Sequence, residues 1–170
     1  MKKTSRPLTF GLATLALVAV AAFAWLGLAK PELAPAVSYT LLDGRKVSSS
    51  EWRGKVTLVN FWATTCVTCV KEMPQIVATH QKFSGRGFQT VAVAMSYDPP
   101  AYVARFAQAR QLPFGVAIDN TGGIARSFGD VQLTPTTFLI NQRGEIVKRY
   151  VGEPDFAALH TLVEQLLASG

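Results

Sequence analysis

The sequence predicts an α/β domain, helices packed around a mixed central sheet, with an added N-terminal β-hairpin and one membrane-spanning helix ahead of it. Three observations predict this. Short β-like runs alternate with amphipathic helical stretches from residue 37 onward. The last two β-like runs, 136–141 and 145–151, flank Arg143-Gly144 as a hairpin would. And 23 consecutive uncharged residues, Pro7 to Ala29, stand before all of it.

That uncharged run would make roughly 34 Å of helix, against a hydrocarbon core of about 30 Å. A cleavable signal peptide also starts basic, but its apolar region is usually about 7–15 residues. Gly27-Leu28-Ala29 is a weak cleavage site. The run therefore reads as an uncleaved signal anchor over residues 8–29. Lys2, Lys3 and Arg6 hold residues 1–7 in the cytoplasm by the positive-inside rule. Everything after the span is then expected in the periplasm, on the oxidising side of a bacterial inner membrane. Residues 30–36, with Pro31 and Pro35, read as a linker, and 37–170 as the folded domain.

Within the domain, residues 37–42 and 45–47 flank Asp43-Gly44, a tight-turn pair that tolerates positive φ, and read as a hairpin. Residues 55–62 (KVTLVNFW) are a central-strand candidate. Residues 67–83 carry helical spacing, interrupted at Pro74. Residues 88–96 are nearly continuous in β-formers, the pattern of a strand buried on both faces. A helix over 101–110 opens after Pro99-Pro100, followed by a short strand at 115–119 and a brief helix at 123–128. After the closing hairpin, 156–168 reads as an amphipathic helix.

Charge excludes one class of partner. The chain carries 17 Lys and Arg against 11 Asp and Glu, a net of +6. Four of those basic residues are Lys2, Lys3, Arg6 and Lys30, and no acidic residue precedes Glu32, so the domain itself is near +2. Its basic residues are scattered, without the basic patch that nucleic-acid binding requires.

The two cysteines, Cys66 and Cys69, carry the chemistry. Cys66 falls where a strand ends and a helix begins. Unpaired N–H groups and the positive end of the helix dipole there favour thiolate over thiol. Cys69 is one turn on, within reach of a disulfide formed at Cys66. The residues leave other readings open. Two buried structural thiols are one, and a Cu(I)-binding metallochaperone using both thiolates is another. A zinc site lacks a second ligand pair, since His80 and His160 are far apart in sequence.

The stretch from Val59 to Pro74 (VNFWATTCVTCVKEMP) resembles the active-site segment of membrane-anchored, thioredoxin-like thiol–disulfide oxidoreductases of the TlpA/ResA kind. Leu133-Thr-Pro-Thr-Thr-Phe-Leu-Ile-Asn141 resembles the same family's cis-proline loop and the strand that follows. Gly54-Lys-Val-Thr-Leu-Val-Asn60 fits its way into the central strand. The resemblance spans roughly residues 38–168 and implies a thioredoxin fold with an N-terminal hairpin. It implies a redox-active Cys66–Cys69 disulfide as the working group, with no metal or other cofactor.

The resemblance also implies roles. Glu72, three residues after Cys69 and so on the same helical face, is expected as a partly buried proton acceptor for Cys69. Pro135 is expected cis, turning the Thr134 backbone toward Cys66 to pair with an extended substrate. Trp62 is placed at the substrate-binding edge. Asn60 stands where thioredoxins proper have a buried Asp, and is expected to be a structural hydrogen-bonder. Thr65 replaces the Trp common before the first cysteine, and Val67-Thr68 replaces the usual Gly-Pro or Pro-Pro. Peroxiredoxins place Thr three residues before their reactive cysteine; Ala63 here argues against that activity. The expected function is a disulfide reductase of exported proteins, re-reduced by a membrane electron donor of the DsbD/CcdA type. Cytochrome c maturation and copper-site assembly are the services such proteins perform.

Overall fold

The computed structural model describes residues 31–169. The cytoplasmic segment and membrane anchor expected over residues 1–29 lie outside the described residues. Among the described residues, no helix is long and apolar enough to cross a membrane.

Ser38–Thr40 (β1) and Lys46–Ser48 (β2) form the N-terminal hairpin, turned at Gly44 with φ +85°, a conformation that L side chains rarely adopt. A one-turn 3-10 helix, Ser49–Trp52, follows with a reciprocal cap between Ser48 and Glu51. Val56–Trp62 (β3) is the central strand, and Val67–Phe83 (α1) runs from it through Pro74. Next come Phe88–Ala94 (β4), Pro100–Ala109 (α2), Gly115–Ile118 (β5) and Gly123–Ser127 (α3). Thr136–Ile140 (β6), Ile146–Val151 (β7) and Phe156–Ala168 (α4) complete the chain.

The main sheet is five-stranded, in the order β5-β4-β3-β6-β7. β4 lies parallel to β3 and to β5, while β6 and β7 are antiparallel additions. The hairpin continues this sheet at the β5 edge, where the Leu42 N–H donates to the Val116 carbonyl at 2.9 Å. Every residue of β3 is buried, as expected of a strand covered on both faces. Alternation along it sorts two cores. Val56, Leu58 and Trp62 face a cluster with Met73, Ile76 and Phe83 of α1 and Leu159 and Val163 of α4. Val59 and Phe61 face the other cluster, with Tyr39, Trp52, Phe128 and Phe138. Asn60 therefore points toward α1.

One boundary moves. Residues 30–36 were expected to be a linker, but Glu32–Ala36 join the domain. The Ile146 N–H donates to the Glu32 carbonyl at 2.7 Å, and the Ala34 N–H to the Gly144 carbonyl at 2.9 Å. The Ser49 hydroxyl donates to the Pro35 carbonyl at 3.0 Å. The physical reason is the open edge of β7, whose first residues need backbone partners and find them in this extended segment.

Candidate active site

β3 ends at Trp62, and the turn through Ala63–Cys66 delivers the chain to α1. Cys66 is the N-cap of that helix, in extended backbone geometry, and its Sγ accepts the Cys69 N–H at 3.1 Å. An unpaired first-turn amide is thus aimed at the sulfur that must carry negative charge. Cys66 is half-buried and Cys69 is fully buried. The two are joined by a disulfide, with Cα atoms 5.2 Å apart, so the protein is described in its oxidised form.

The Thr134–Pro135 peptide bond is cis. It precedes β6, which pairs with β3, and so returns the loop to the end of the sheet where Cys66 sits. The Thr134 carbonyl oxygen lies 3.6 Å from Cys66 Sγ. The Gly152 N–H donates to the Pro135 carbonyl at 2.8 Å, and the Thr136 hydroxyl to the Leu133 carbonyl at 2.7 Å, which hold the loop on both sides.

One helical turn beyond Cys69, Glu72 is completely buried. Asn60 Nδ2 donates to Glu72 Oε1 at 3.1 Å and to Thr137 Oγ1 at 2.9 Å. Asn60 and Thr137 are direct neighbours across β3 and β6, so the sheet register fixes the donor that meets the carboxyl. Glu72 Oε2 has no protein partner. Burial pushes the Glu72 carboxyl up to about 7; the Asn60 hydrogen bond draws it down, and the negative charge of Glu153 adds to the rise. A carboxyl that exchanges its proton near neutrality, one turn beyond a buried thiol, is equipped for general acid–base work.

The Redoxin family model matches residues 29–165. Thiol-disulfide oxidoreductase ResA of Bacillus thuringiensis subsp. konkukian is 35% identical over 120 residues, covering 71% of this chain and 68% of that protein. The chain belongs to the Redoxin family. It is a thiol–disulfide oxidoreductase of the ResA-like kind, with Cys66–Cys69 as its redox pair. Its thioredoxin fold is shared with solved structures. One is a Neisseria meningitidis protein provisionally named a thioredoxin, at TM-score 0.77 and 40% identity, covering 83% of this chain and 93% of that one. Another is a thiol:disulfide interchange protein of the thioredoxin family from Chlorobium tepidum, at TM-score 0.75 and 29% identity, covering 82% and 98%.

In this Redoxin-family oxidoreductase, Trp62 does not stand where the sequence reading put it. Its side chain is fully buried and packs against Phe106 at 5.1 Å between ring centroids. It belongs to the core beneath the pair because the even positions of β3 face α1, so it offers no surface to a substrate. The two histidines are also accounted for. His80 Nδ1 lies 3.2 Å from Thr90 Oγ1, and His160 Nε2 lies 2.8 Å from Thr79 Oγ1. His80 stands eleven residues along α1 from Cys69, about 16 Å at 1.5 Å per residue. Among the described residues, no three His, Cys, Asp or Glu side chains gather as metal ligands.

Three site residues were not read from the sequence. Thr137 shares the Asn60 amide with Glu72. Asp98 is buried and accepts the Thr64 N–H at 2.6 Å and the Thr64 hydroxyl at 2.5 Å. Tyr97 OH lies 3.2 Å from Thr134 Oγ1. Tyr97 and Asp98 fell between the strand read over 88–96 and the helix opened by Pro99-Pro100, and an Asp before two prolines was the one available signal.

Proposed function

We propose that the chain is a membrane-tethered disulfide reductase of exported proteins. Buried Glu72 carries this reading. It stands three residues after Cys69, with a carboxyl that titrates at about 7. The Cys66 thiolate attacks one sulfur of a substrate disulfide. That bond breaks, a Cys66–substrate disulfide forms, and the displaced substrate sulfur leaves as a thiolate. Glu72 takes the proton of the Cys69 thiol. The Cys69 thiolate then attacks Cys66 Sγ, the mixed disulfide breaks, and the second substrate thiolate leaves. Two electrons have passed from the pair to the substrate, and Cys66–Cys69 is oxidised. The Thr134 backbone, beside Cys66 Sγ, presents an edge to the extended substrate chain during the covalent stage.

The uncharged run over residues 8–29, with the basic residues before it, supports an inner-membrane tether with the catalytic domain in the periplasm. The oxidised pair is returned to the dithiol by a membrane electron donor of the DsbD/CcdA type. Haem-attachment cysteines in cytochrome c maturation and copper sites under assembly are the client classes.

The reduction potential of the full-length chain, read by thiol trapping in dithiothreitol and glutathione buffers, tests this. A value near about −270 mV supports a reductase, whereas one near about −120 mV would make the protein an oxidant and reverse the cycle.

A further inference from the structure

Two adjacent side chains each hold a residue next to Cys66, one in the turn before it and one in the cis-proline loop. Asp98 is buried, and both its carboxylate oxygens accept from Thr64, at the start of the turn that delivers Cys66 to the helix. Tyr97, the residue before it, places its hydroxyl 3.2 Å from Thr134 Oγ1. Thr134 is also the residue whose carbonyl oxygen lies against Cys66 Sγ. The dipeptide is itself fixed to the sheet, since the Asp98 N–H donates to the Met95 carbonyl and the Met95 N–H to the Trp62 carbonyl, each at 3.0 Å.

Tyr97 is 57% exposed. A hydrogen bond between an exposed tyrosine hydroxyl and a half-buried threonine adds little to stability, so the packing of the domain does not account for an aromatic at this position. Val67 and Leu133, 82% and 66% exposed, are the other large apolar side chains open to solvent in the motif and the cis-proline loop. Thr65, just before Cys66, brings no ring to this surface. Tyr97 is thus the aromatic held beside the cis-proline loop. An aromatic ring supplies contact area at little entropic cost, and a polypeptide joined to Cys66 must pass Thr134.

We propose that Tyr97 is a specificity-determining residue that favours extended polypeptide disulfides over small ones, and that Asp98 is the positioning residue holding Tyr97 and the Cys66 turn in register. The inference rests on thiol–disulfide exchange at Cys66 and not on its direction, so a potential that reversed the reductase cycle would leave it standing.

The test uses the full-length chain carrying Cys69→Ala, in which the mixed disulfide at Cys66 is not resolved. The Cys66 thiolate attacks the disulfide, forms the mixed disulfide and expels the same leaving thiolate from either of two probes. One probe is an extended ten-residue peptide whose central cysteine is disulfide-bonded to 2-nitro-5-thiobenzoate; the other is cysteine bonded to the same group, so the 2-nitro-5-thiobenzoate thiolate leaves in both. In the parent, the peptide is expected to react faster. Tyr97→Ala should cut the peptide-to-small ratio of rate constants at least fivefold, and Tyr97→Phe, which keeps the ring, less. Asp98→Asn, which retains the shape but loses one acceptor, should slow both probes several-fold. A parent without preference for the peptide, or a ratio untouched by Tyr97→Ala, would overturn the role of Tyr97. Unaltered rates in Asp98→Asn would overturn that of Asp98.

Discussion

Asn60 Nδ2 lies 3.1 Å from Glu72 Oε1, and this is the one hydrogen bond the buried carboxyl receives among the described residues. The pairing joins the central strand to the first helix one turn beyond Cys69. It makes Glu72 a group whose proton affinity is set by burial on one side and a single amide on the other.

Glu72→Gln is expected to leave the attack of Cys66 on a disulfide intact and to slow resolution by Cys69 about 100-fold at neutral pH, the scale of lost general-base catalysis. The wild-type resolution rate should climb with pH and level off above about 7, where the carboxylate predominates. Rapid-quench single turnovers across pH 5–9 would show it. Equal resolution rates in the two proteins would remove Glu72 from the mechanism.

Asn60→Ala takes away the hydrogen bond that favours the carboxylate. The Glu72 carboxyl should then rise further, and the inflection in the resolution rate should move to higher pH. Infrared difference spectra of the protonated carboxyl, followed through a pH titration, report the shift directly.

Stability should fall as pH rises. The Glu72 carboxyl has a higher affinity for its proton folded than unfolded, about 7 against 4.5. Below the unfolded value both states are protonated and the contribution is complete. Between the two values the unfolded chain releases its proton first, so unfolding becomes progressively easier, by up to about 3 kcal/mol, with the loss complete once pH passes the folded value. Urea unfolding of the oxidised protein at pH 5 and pH 8 measures the difference. Glu72→Gln should flatten this part of the profile.

A chain starting at residue 37 should be less stable than one starting at residue 31, by about 1–2 kcal/mol, because three hydrogen bonds from Glu32, Ala34 and Pro35 are lost and part of their worth is offset by released chain entropy. Thermal unfolding of the two truncations compares them. Equal midpoints would mean that the segment is only loosely held.

Trp62→Phe should cost about 1–2 kcal/mol through the space left against Phe106, while KM for a peptide disulfide stays within about twofold. A large KM effect with intact stability would return Trp62 to the substrate surface.

The alternation of β-formers and amphipathic stretches placed the strands and helices, because burial on one or two faces imposes its own period on apolar residues. The helix over 67–83 and the last helix were legible to the residue. The redox pair was legible too, since two thiols at three-residue spacing on a helix start have few other uses. Position in the third dimension was not. The periodicity of β3 said that Trp62 was apolar and near the motif, but only the packing of α1 over the even positions of that strand turned its ring inward. Asn60 and Glu72 meet through the crossing of a strand and a helix, and Thr137 joins them from a strand 77 residues away. Thr64 and Asp98, and Tyr97 and Thr134, are likewise partners from distant loops gathered at one end of the sheet. Local sequence encodes which residues prefer to be buried and with what period. Which buried polar groups find one another depends on register and crossing geometry, and these exist only once the strands have paired.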